Sequence, residues 1–144
     1  MEVIPAIDLI NGACVRLTKG DYATKKVYNA NPLAVALAFQ DAGIKKIHVV
    51  DLDGAKAEKV KNWKTIERLA KSTNLVLQVG GGFRTEQEIQ RLFSLGVARV
   101  ILGTVAFEAP EKLKKFLQKF GKEKIIVDVA VKGRQLYAQG WQKK

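Results

Sequence analysis

The sequence predicts a single α/β unit in which parallel strands alternate with helices. Short apolar runs that end in an aspartate or a glycine-rich turn are typical of buried parallel strands, and they occur at residues 3–8, 47–51, 75–82, 100–103 and 125–128. Amphipathic segments separate these runs, and no linker rich in serine or proline interrupts them. Because ligands of parallel α/β folds bind at the carboxyl ends of the strands, the five runs are expected to point toward one site.

The predicted helices have recognisable beginnings and ends. Asn31 and Pro32 open the first helix, since asparagine is a common N-cap residue and proline suits the first helical position, and Gly43 ends it. The later helices are expected at residues 62–71, after a capping box at residues 85–88 and up to Gly96, and from about residue 110 to residue 120. Strand and helix therefore alternate along the whole chain.

The composition indicates a globular protein without membrane segments or disulfides. Of the 144 residues 47% are hydrophobic, yet no apolar stretch approaches the ~20 residues that a membrane span requires. The N-terminal residues lack the pattern of a targeting peptide, so a cytoplasmic location is expected. Cys14 is the sole cysteine and is expected to be buried, and with one histidine the sequence holds no metal-binding pattern.

The net charge of +11, from 25 Lys and Arg against 14 Asp and Glu, suits either nucleic acid or a small anionic substrate. Many of the lysines lie in helical segments such as residues 111–119, where they are expected to cover a solvated face. No basic and aromatic module of a nucleic-acid-binding protein is visible. The charge therefore supports no more than a general attraction to phosphate, and no nucleic-acid partner is expected.

Two architectures fit repeated strand–helix pairs, an open doubly wound sheet and a (β/α) barrel. A doubly wound sheet concentrates functional residues near one switch point, whereas polar residues here follow all five strands, which favours the barrel. A closed eight-stranded barrel typically needs about 250 residues and rarely fewer than about 200. Residues 1–144 are therefore expected to form one incomplete barrel domain of five units, with open edges that favour self-association or pairing with a complementary fragment.

Asp8 and Asp128 are the candidate catalytic residues. The segments at residues 6–15 and 126–136 resemble each other weakly, which would place the two aspartates at equivalent ends of strands one and five, on opposite sides of a barrel. One carboxylate could then remove a proton from carbon while the other protonates a departing oxygen, which isomerises a sugar without a cofactor. The alternative is that each aspartate only caps a helix or a loop.

Gly80, Gly81 and Gly82, followed by Arg84, form a candidate phosphate site after the third strand. Glycines let backbone N–H groups approach an anion, the next helix N-terminus adds its dipole, and an arginine supplies a charged fork. The segment is neither a Walker A loop nor a dinucleotide-binding loop, because the required lysine and third glycine are absent. The alternative is a tight turn that needs small residues.

Weaker candidates surround these groups. Gly103 and Thr104 follow the fourth strand and are expected to contact the same phosphate. Arg16 and Lys19, in the loop after the first strand, either reach a phosphate or are solvated.

Side-chain parity separates the two polar residues of the second strand. Asp51 shares the parity of Ile47 and Val49 and is expected inside the barrel mouth, where it would position other groups. His48 has the opposite parity, so a structural position under the helices is at least as well supported as a catalytic one.

Several motifs together resemble the HisA isomerases of histidine biosynthesis, over the whole chain. They are Ile-Pro-Ala-Ile-Asp-Leu at residues 4–9, His-Val-Val-Asp-Leu-Asp-Gly-Ala at residues 48–55, Gly-Gly-Gly-Phe-Arg at residues 80–84 and Gly-Trp at residues 140–141. The resemblance implies a (β/α)₈ barrel that performs an Amadori rearrangement, converting ProFAR to PRFAR without metal or cofactor.

The resemblance also implies roles for individual residues. Asp8 matches the proton acceptor of the family and Asp128 its proton donor. Residues 80–84 and residues 103–104 match the turns near one substrate phosphate, and Trp141 matches a tryptophan that stacks on the substrate base. For Trp141 a hydrophobic plug under the loop is an equally good interpretation. Strands six to eight of the family, with a second phosphate site, have no counterpart in these residues.

Three alternatives remain near this interpretation. The cyclase subunit of the same pathway usually has a cysteine where Ile7 stands, which argues against it. A bifunctional isomerase that also acts in tryptophan synthesis stays open, because the distinguishing residues lie partly outside this chain. A non-catalytic half-barrel that assembles with a partner would explain the length.

Overall fold

The computed structural model describes residues 1–132 and 135–137, which form strands and helices in alternation. In chain order the elements are β1 (Ala6–Ile10), β2 (Ala13–Thr18), β3 (Asp21–Asn29), α1 (Pro32–Asp41), β4 (Lys46–Asp51), α2 (Leu52–Ala57), α3 (Trp63–Ser72), β5 (Val76–Gly80), α4 (Glu86–Ser94), β6 (Arg99–Leu102), α5 (Thr104–Glu108), α6 (Pro110–Phe120), β7 (Ile125–Val127), β8 (Ala130–Lys132) and β9 (Gln135–Tyr137). None of the described helices is long and apolar enough to cross a bilayer.

The sheet has the strand order of a barrel. Its seven strands run in the order β3-β2-β1-β4-β5-β6-β7, and the five strands β1, β4, β5, β6 and β7 are parallel. These five follow one another in sequence order, without the reversal that defines a doubly wound sheet. The sheet is not closed. The predicted incomplete barrel is therefore confirmed in its strand order.

One apolar layer joins the parallel strands to the helices. It contains residues from the strands β1, β4, β5 and β6 and from the helices α1, α3, α4 and α6. Five examples, each at most 4% exposed, are Ile7, Val49, Leu77, Ile66 and Phe116. All of these helices cover the same face of the sheet, as in a barrel wall. The opposite face is left to form the inside of the barrel.

The predicted long helices are confirmed, with the expected end signals. Asn31 caps α1 through a hydrogen bond from the Ala34 N–H, and Thr85 and Glu88 form a capping box at α4. The short helices α2 and α5 were not expected from the sequence pattern. Cys14 is fully buried, as expected.

The segment expected as a loop after the first strand is instead a β-hairpin, β2–β3. Asn11 and Gly12 join β1 to β2 with positive φ at both residues, and Lys19 and Gly20 join β2 to β3 in the same way. Two-residue turns with this backbone suit the twist of antiparallel strands, and Asn-Gly is the strongest short-range signal for them. The Asn11-Gly12 pair is thus sufficient to predict this turn from the sequence.

The expectation of two open edges is wrong for β1. Asp8, Leu9 and Ile10 pair with β2, so the hairpin covers that part of the β1 edge. At the other end β7 is the last strand of the sheet, and Val127 within it and Val129 after it are 43% and 50% exposed. Among the described residues the sheet therefore ends at the antiparallel strand β3 on one side and at the parallel strand β7 on the other.

Candidate active site

A cavity of about 330 Å³ lies at the carboxyl ends of the parallel strands. Every parallel strand, or the residue directly after it, contributes to its wall. The contributing residues include Asp8 from β1, Val50 from β4, Gly80 from β5, Ile101 from β6 and Asp128 after β7. The predicted convergence of the strand ends on one site is thus present.

The register of the sheet determines which residues face this cavity. Asp8 lies opposite Val50, Val50 opposite Gly80, and Gly80 opposite Ile101. Since side chains alternate between the two faces of a strand, these positions share a face, and all of them line the cavity. The intervening residues, such as Val49, face the helices.

Asp8 is a half-buried carboxylate in the middle of β1, not at its end as the apolar run suggested. Burial raises its pKa above the ordinary value, and the positive charges of His48 and Arg16 lower it without cancelling that rise. A carboxylate that is held partly away from water is a stronger proton acceptor than a solvated one. The environment of Asp8 therefore suits a general base.

Asp128 lies directly after β7, on the far side of the cavity from Asp8 along the row of strands. Its N–H donates a hydrogen bond of 3.0 Å to the carbonyl oxygen of Leu102, which fixes its backbone beside β6. Gly103 lies beside Asp128: a Cβ atom on Gly103 would lie 3.8 Å from the Asp128 carbonyl oxygen and 4.0 Å from its Oδ2, which are ordinary contact distances. The carboxylate itself is exposed, so it is accessible to a ligand.

The structure decides between the two positions left open for His48 and corrects the one predicted for Asp51. His48 lines the cavity and does not lie under the helices. Asp51 is fully buried between β4 and the helices, so its expected position inside the barrel mouth is wrong. The prediction took the apolar parity of Ile47 and Val49 as the inner face, but in a barrel that face packs against the helices.

Asp51 has a structural environment instead. Its carboxylate accepts hydrogen bonds from the N–H groups of Gly54 (2.9 Å), Lys61 (2.7 Å) and Asn62 (2.9 Å), and from the side-chain amide of Asn62 (2.6 Å). The same amide also donates to Asp53 at 2.9 Å. Asp51 therefore caps α2 and holds the connection from α2 to α3.

The glycine turn after β5 lines the cavity, and its glycines are also required by packing. A Cβ atom on Gly81 would lie 2.6 Å from the Asp51 carbonyl oxygen, and one on Gly54 would lie 2.5 Å from the Gly81 carbonyl oxygen. Gly81 and Gly82 also have positive φ values of 139° and 81°. The turn is thus pressed against the start of α2, a reason for glycine that exists without any ligand.

Arg84 presents a cation to the cavity wall. Its Nη1 donates to the Phe83 carbonyl oxygen at 3.2 Å, and its Nη2 lies 3.9 Å from Oε1 of Glu58. Nη2 is buried and makes no hydrogen bond to the residues that the structure describes. A buried N–H group without an acceptor is costly, so a ligand oxygen here would satisfy it.

The Glu88 carboxylate organises the chain just before α4. It accepts hydrogen bonds from the N–H groups of Arg84 (3.1 Å), Thr85 (3.2 Å) and Val60 (2.9 Å). Burial raises the pKa of Glu88, but these hydrogen bonds and one from the Thr85 hydroxyl outweigh it and leave the pKa lowered. Glu88 therefore completes the capping box with Thr85 and ties the end of the glycine turn to Val60.

The β2–β3 hairpin contributes to the cavity, although only Arg16 and Lys19 were predicted from it. Leu17 and Gly20 line the wall, and the Tyr22 hydroxyl donates to the Leu52 carbonyl oxygen at 2.9 Å. Burial, with the nearby carboxylates, raises the pKa of Tyr22 to about 12, so this donor stays protonated. The side chains of Arg16 and Lys19 are exposed and are not part of the wall.

The remaining predicted residues divide between the cavity and the undescribed part of the chain. Gly103 and Thr104 line the cavity at the start of α5, as expected. Trp141 lies outside the described residues. Within residues 1–132 and 135–137, no group of three His, Cys, Asp or Glu side chains could hold a metal ion.

Comparisons with known proteins agree with the sequence motifs. A family model described as histidine biosynthesis protein matches residues 2–144. Three curated relatives, all named 1-(5-phosphoribosyl)-5-((5-phosphoribosylamino)methylideneamino) imidazole-4-carboxamide isomerase, are from Parabacteroides distasonis, Halothermothrix orenii and Cytophaga hutchinsonii. The first is 46% identical over 142 residues, the second 46% over 143 and the third 43% over 142. Each alignment covers 99% of this chain but only 59% or 60% of the relative, so the chain spans about three-fifths of their length.

Proposed function

Because the chain belongs to the histidine biosynthesis protein family, we propose that it supplies the active-site carboxylates of an isomerase acting on a bisphosphorylated aminoimidazole carboxamide ribotide. The reaction is the Amadori rearrangement of ProFAR to PRFAR. One observation carries the proposal: Asp8 and Asp128 line the same cavity, with the glycine turn and Arg84 between them along the row of strands.

The proposed mechanism needs one proton donor and one proton acceptor. Asp128 donates a proton to the ring oxygen of the aminated ribose as the bond from C1 to that oxygen breaks, which leaves an open-chain iminium group. Asp8 removes the proton from C2, and the electron pair moves into the C1–C2 bond to form an enaminol. Protonation at C1 and loss of the hydroxyl proton then give the aminoketose, so no oxidant or reductant is consumed.

A substrate phosphate is proposed to bind between the glycine turn and Arg84. Arg84 offers a buried Nη2 group without an acceptor, and Gly81 and Gly82 bring backbone to the same part of the wall. Gly103 and Thr104 complete that side of the cavity. Arginine binds phosphate in a fork geometry, which would hold the sugar in a fixed position between the two aspartates.

The direct test joins this chain to the part of the Parabacteroides distasonis relative that the alignment does not cover and measures isomerisation of ProFAR by the chimera. Asp8→Asn and Asp128→Asn are each expected to lower kcat by about a hundredfold or more, because proton transfer loses its acceptor or donor. Asp41→Asn is the matched control, since Asp41 is exposed at the end of α1, away from the cavity.

Provided that the parent chimera is active, an Asp8→Asn or Asp128→Asn variant with a kcat close to that of the Asp41→Asn control would exclude that aspartate from the chemistry. Circular dichroism and urea unfolding of the variants would separate a lost catalytic group from a lost fold.

A second candidate role is assembly, which one observation favours. Among the described residues, strand β7 pairs on one side only. Val127 at the end of β7 and Val129 after it are exposed. We propose that further (β/α) units, on the same or another polypeptide, cover this edge. Light scattering of the purified chain tests this: a stable monomer whose Val127→Thr variant behaves identically would argue against an edge that needs covering.

A further inference from the structure

His48 is the only histidine of the chain, and its side chain faces the cavity from β4. In the parallel pairing of β1 with β4, Ala6 lies opposite His48 and Asp8 lies opposite Val50. The side chains of Asp8 and His48 therefore point to the same face from adjacent strands, offset by two residues. Strand spacing and rise place their Cα atoms roughly 8 Å apart, within reach of two side chains that lean toward each other.

The imidazole is placed for an electrostatic role. His48 is half-buried, and within residues 1–132 and 135–137 its side chain makes no hydrogen bond or ion pair to hold it elsewhere. Gln78, which lies opposite His48 on the adjacent strand β5, is buried and uncharged. The charge of a protonated imidazole would therefore act mainly on Asp8.

Several other ionisable groups lie near Asp8. Arg16 on β2 and His48 on β4 are its positive neighbours, Cys14 lies on β2, and Tyr22 and Tyr28 lie on β3. Asp128 and Arg84 line the same cavity. Burial raises the pKa of Asp8, and among the charged neighbours His48 opposes this rise more than Arg16 does. The pKa values of the Cys14 thiol and of Tyr28, the latter at about 12, are also raised, so both stay neutral and add no charge.

We propose that His48 is a positioning residue that acts through Asp8: in its protonated form, from the wall of the cavity, it holds the Asp8 carboxylate in the ionised state that accepts a proton. The inference rests on the proposed function, in which Asp8 is the base.

The coupling itself is tested without turnover. In the isotope-labelled chain the carboxyl carbon of Asp8 is followed by NMR against pH, together with the ring of His48. In the parent chain the Asp8 curve is expected to contain a second inflection where His48 titrates. In His48→Gln the Asp8 midpoint is expected to move to higher pH, and in His48→Lys, which keeps a positive charge, it is expected to lie below that of the Gln variant.

Gln78→Met is the matched control, because Gln78 lies beside His48 in the same layer and carries no charge. Its Asp8 midpoint is expected to coincide with that of the parent. A parent curve without the second inflection would overturn the proposal, even if no His48 variant folds. Equal displacement of the midpoint in His48→Gln, His48→Lys and Gln78→Met would also overturn it, since packing and not charge would then be the cause.

The role in the reaction is tested in the chimera with its pH profile. For His48→Gln the acid limb of the kcat/KM profile is expected to move to higher pH. Relative to the parent, kcat/KM should then fall by roughly two- to fivefold more on the acid limb than at alkaline pH. A loss that is uniform across pH would overturn the role. If the parent chimera shows no turnover although the NMR coupling is present, the proposed function fails while the coupling stands, so the two failures are distinguishable.

Discussion

Gly82 lies with its Cα against the carbonyl group of Gly54, and a Cβ atom on Gly82 would lie only 2.7 Å from the Gly54 carbonyl carbon. This contact joins the glycine turn after β5 to helix α2. Gly82 also has a φ of 81°, which other residues adopt with strain. Two independent constraints therefore select glycine, before any phosphate is considered.

These constraints can be separated by comparing two glycines with similar backbone. Gly43 has a φ of 87°, and nothing lies within 4 Å of a Cβ atom there. Gly43→Ala is expected to lower the free energy of unfolding by about 1 kcal/mol from backbone strain alone. Gly82→Ala should cost about 1–3 kcal/mol more, because the methyl group overlaps backbone that cannot turn away. Urea unfolding measures both, and equal losses would show that the contact with Gly54 yields easily.

Asp51 is expected to matter for stability. In Asp51→Asn the new amide nitrogen replaces one of two acceptor oxygens, so it faces either the Gly54 N–H and the Asn62 amide or the N–H groups of Lys61 and Asn62. Either mismatch should lower the free energy of unfolding by about 2–4 kcal/mol. Asp53→Asn is the control and should cost about 1 kcal/mol, since Asp53 is half-buried and, among the described residues, accepts from Asn11 and Asn62 alone. If the two losses come out equal, the buried network is not what Asp51 supports.

Asp8 is expected to reduce stability at neutral pH. Its pKa is raised in the folded protein, mainly by burial, so the folded state holds the proton more tightly than the unfolded state. Stability from this group is therefore present below the ordinary aspartate pKa of about 3.9 and is lost as pH rises through the folded pKa. Asp8→Asn should unfold at a higher urea concentration than the parent at neutral pH, and the advantage should shrink in acid. An advantage that is independent of pH would contradict this assignment.

Arg84 is expected to affect substrate binding more than chemistry. In the chimera, Arg84→Lys keeps the positive charge but removes the guanidinium fork, including the buried Nη2 that is proposed to donate to a phosphate oxygen. The KM for ProFAR should therefore rise by roughly tenfold, with a smaller change in kcat. Arg68→Lys, an exposed change on α3, is the control and should leave both constants close to those of the parent. A KM that moves no more than the control would remove Arg84 from the phosphate site.

Much of the architecture was predictable because it depends on local signals. Asn31-Pro32 and the capping box at Thr85 and Glu88 determine where two helices begin, and the apolar runs mark every parallel strand. The hairpin β2–β3 was missed because its polar edge strand has no apolar pattern, although Asn11-Gly12 was a sufficient signal for its first turn.

The sequence by itself determined that Asp8, Asp128, the glycine turn and Arg84 would lie along one row of parallel strands. Only the tertiary structure decided which residues face the cavity, with His48 in its wall and Asp51 buried between β4 and the helices. The physical reason is that a barrel strand is buried on both faces, so its apolar residues do not mark the inner one. The same applies to Gly82 and Glu88, whose partners Gly54 and Val60 are distant in sequence and became neighbours only on folding.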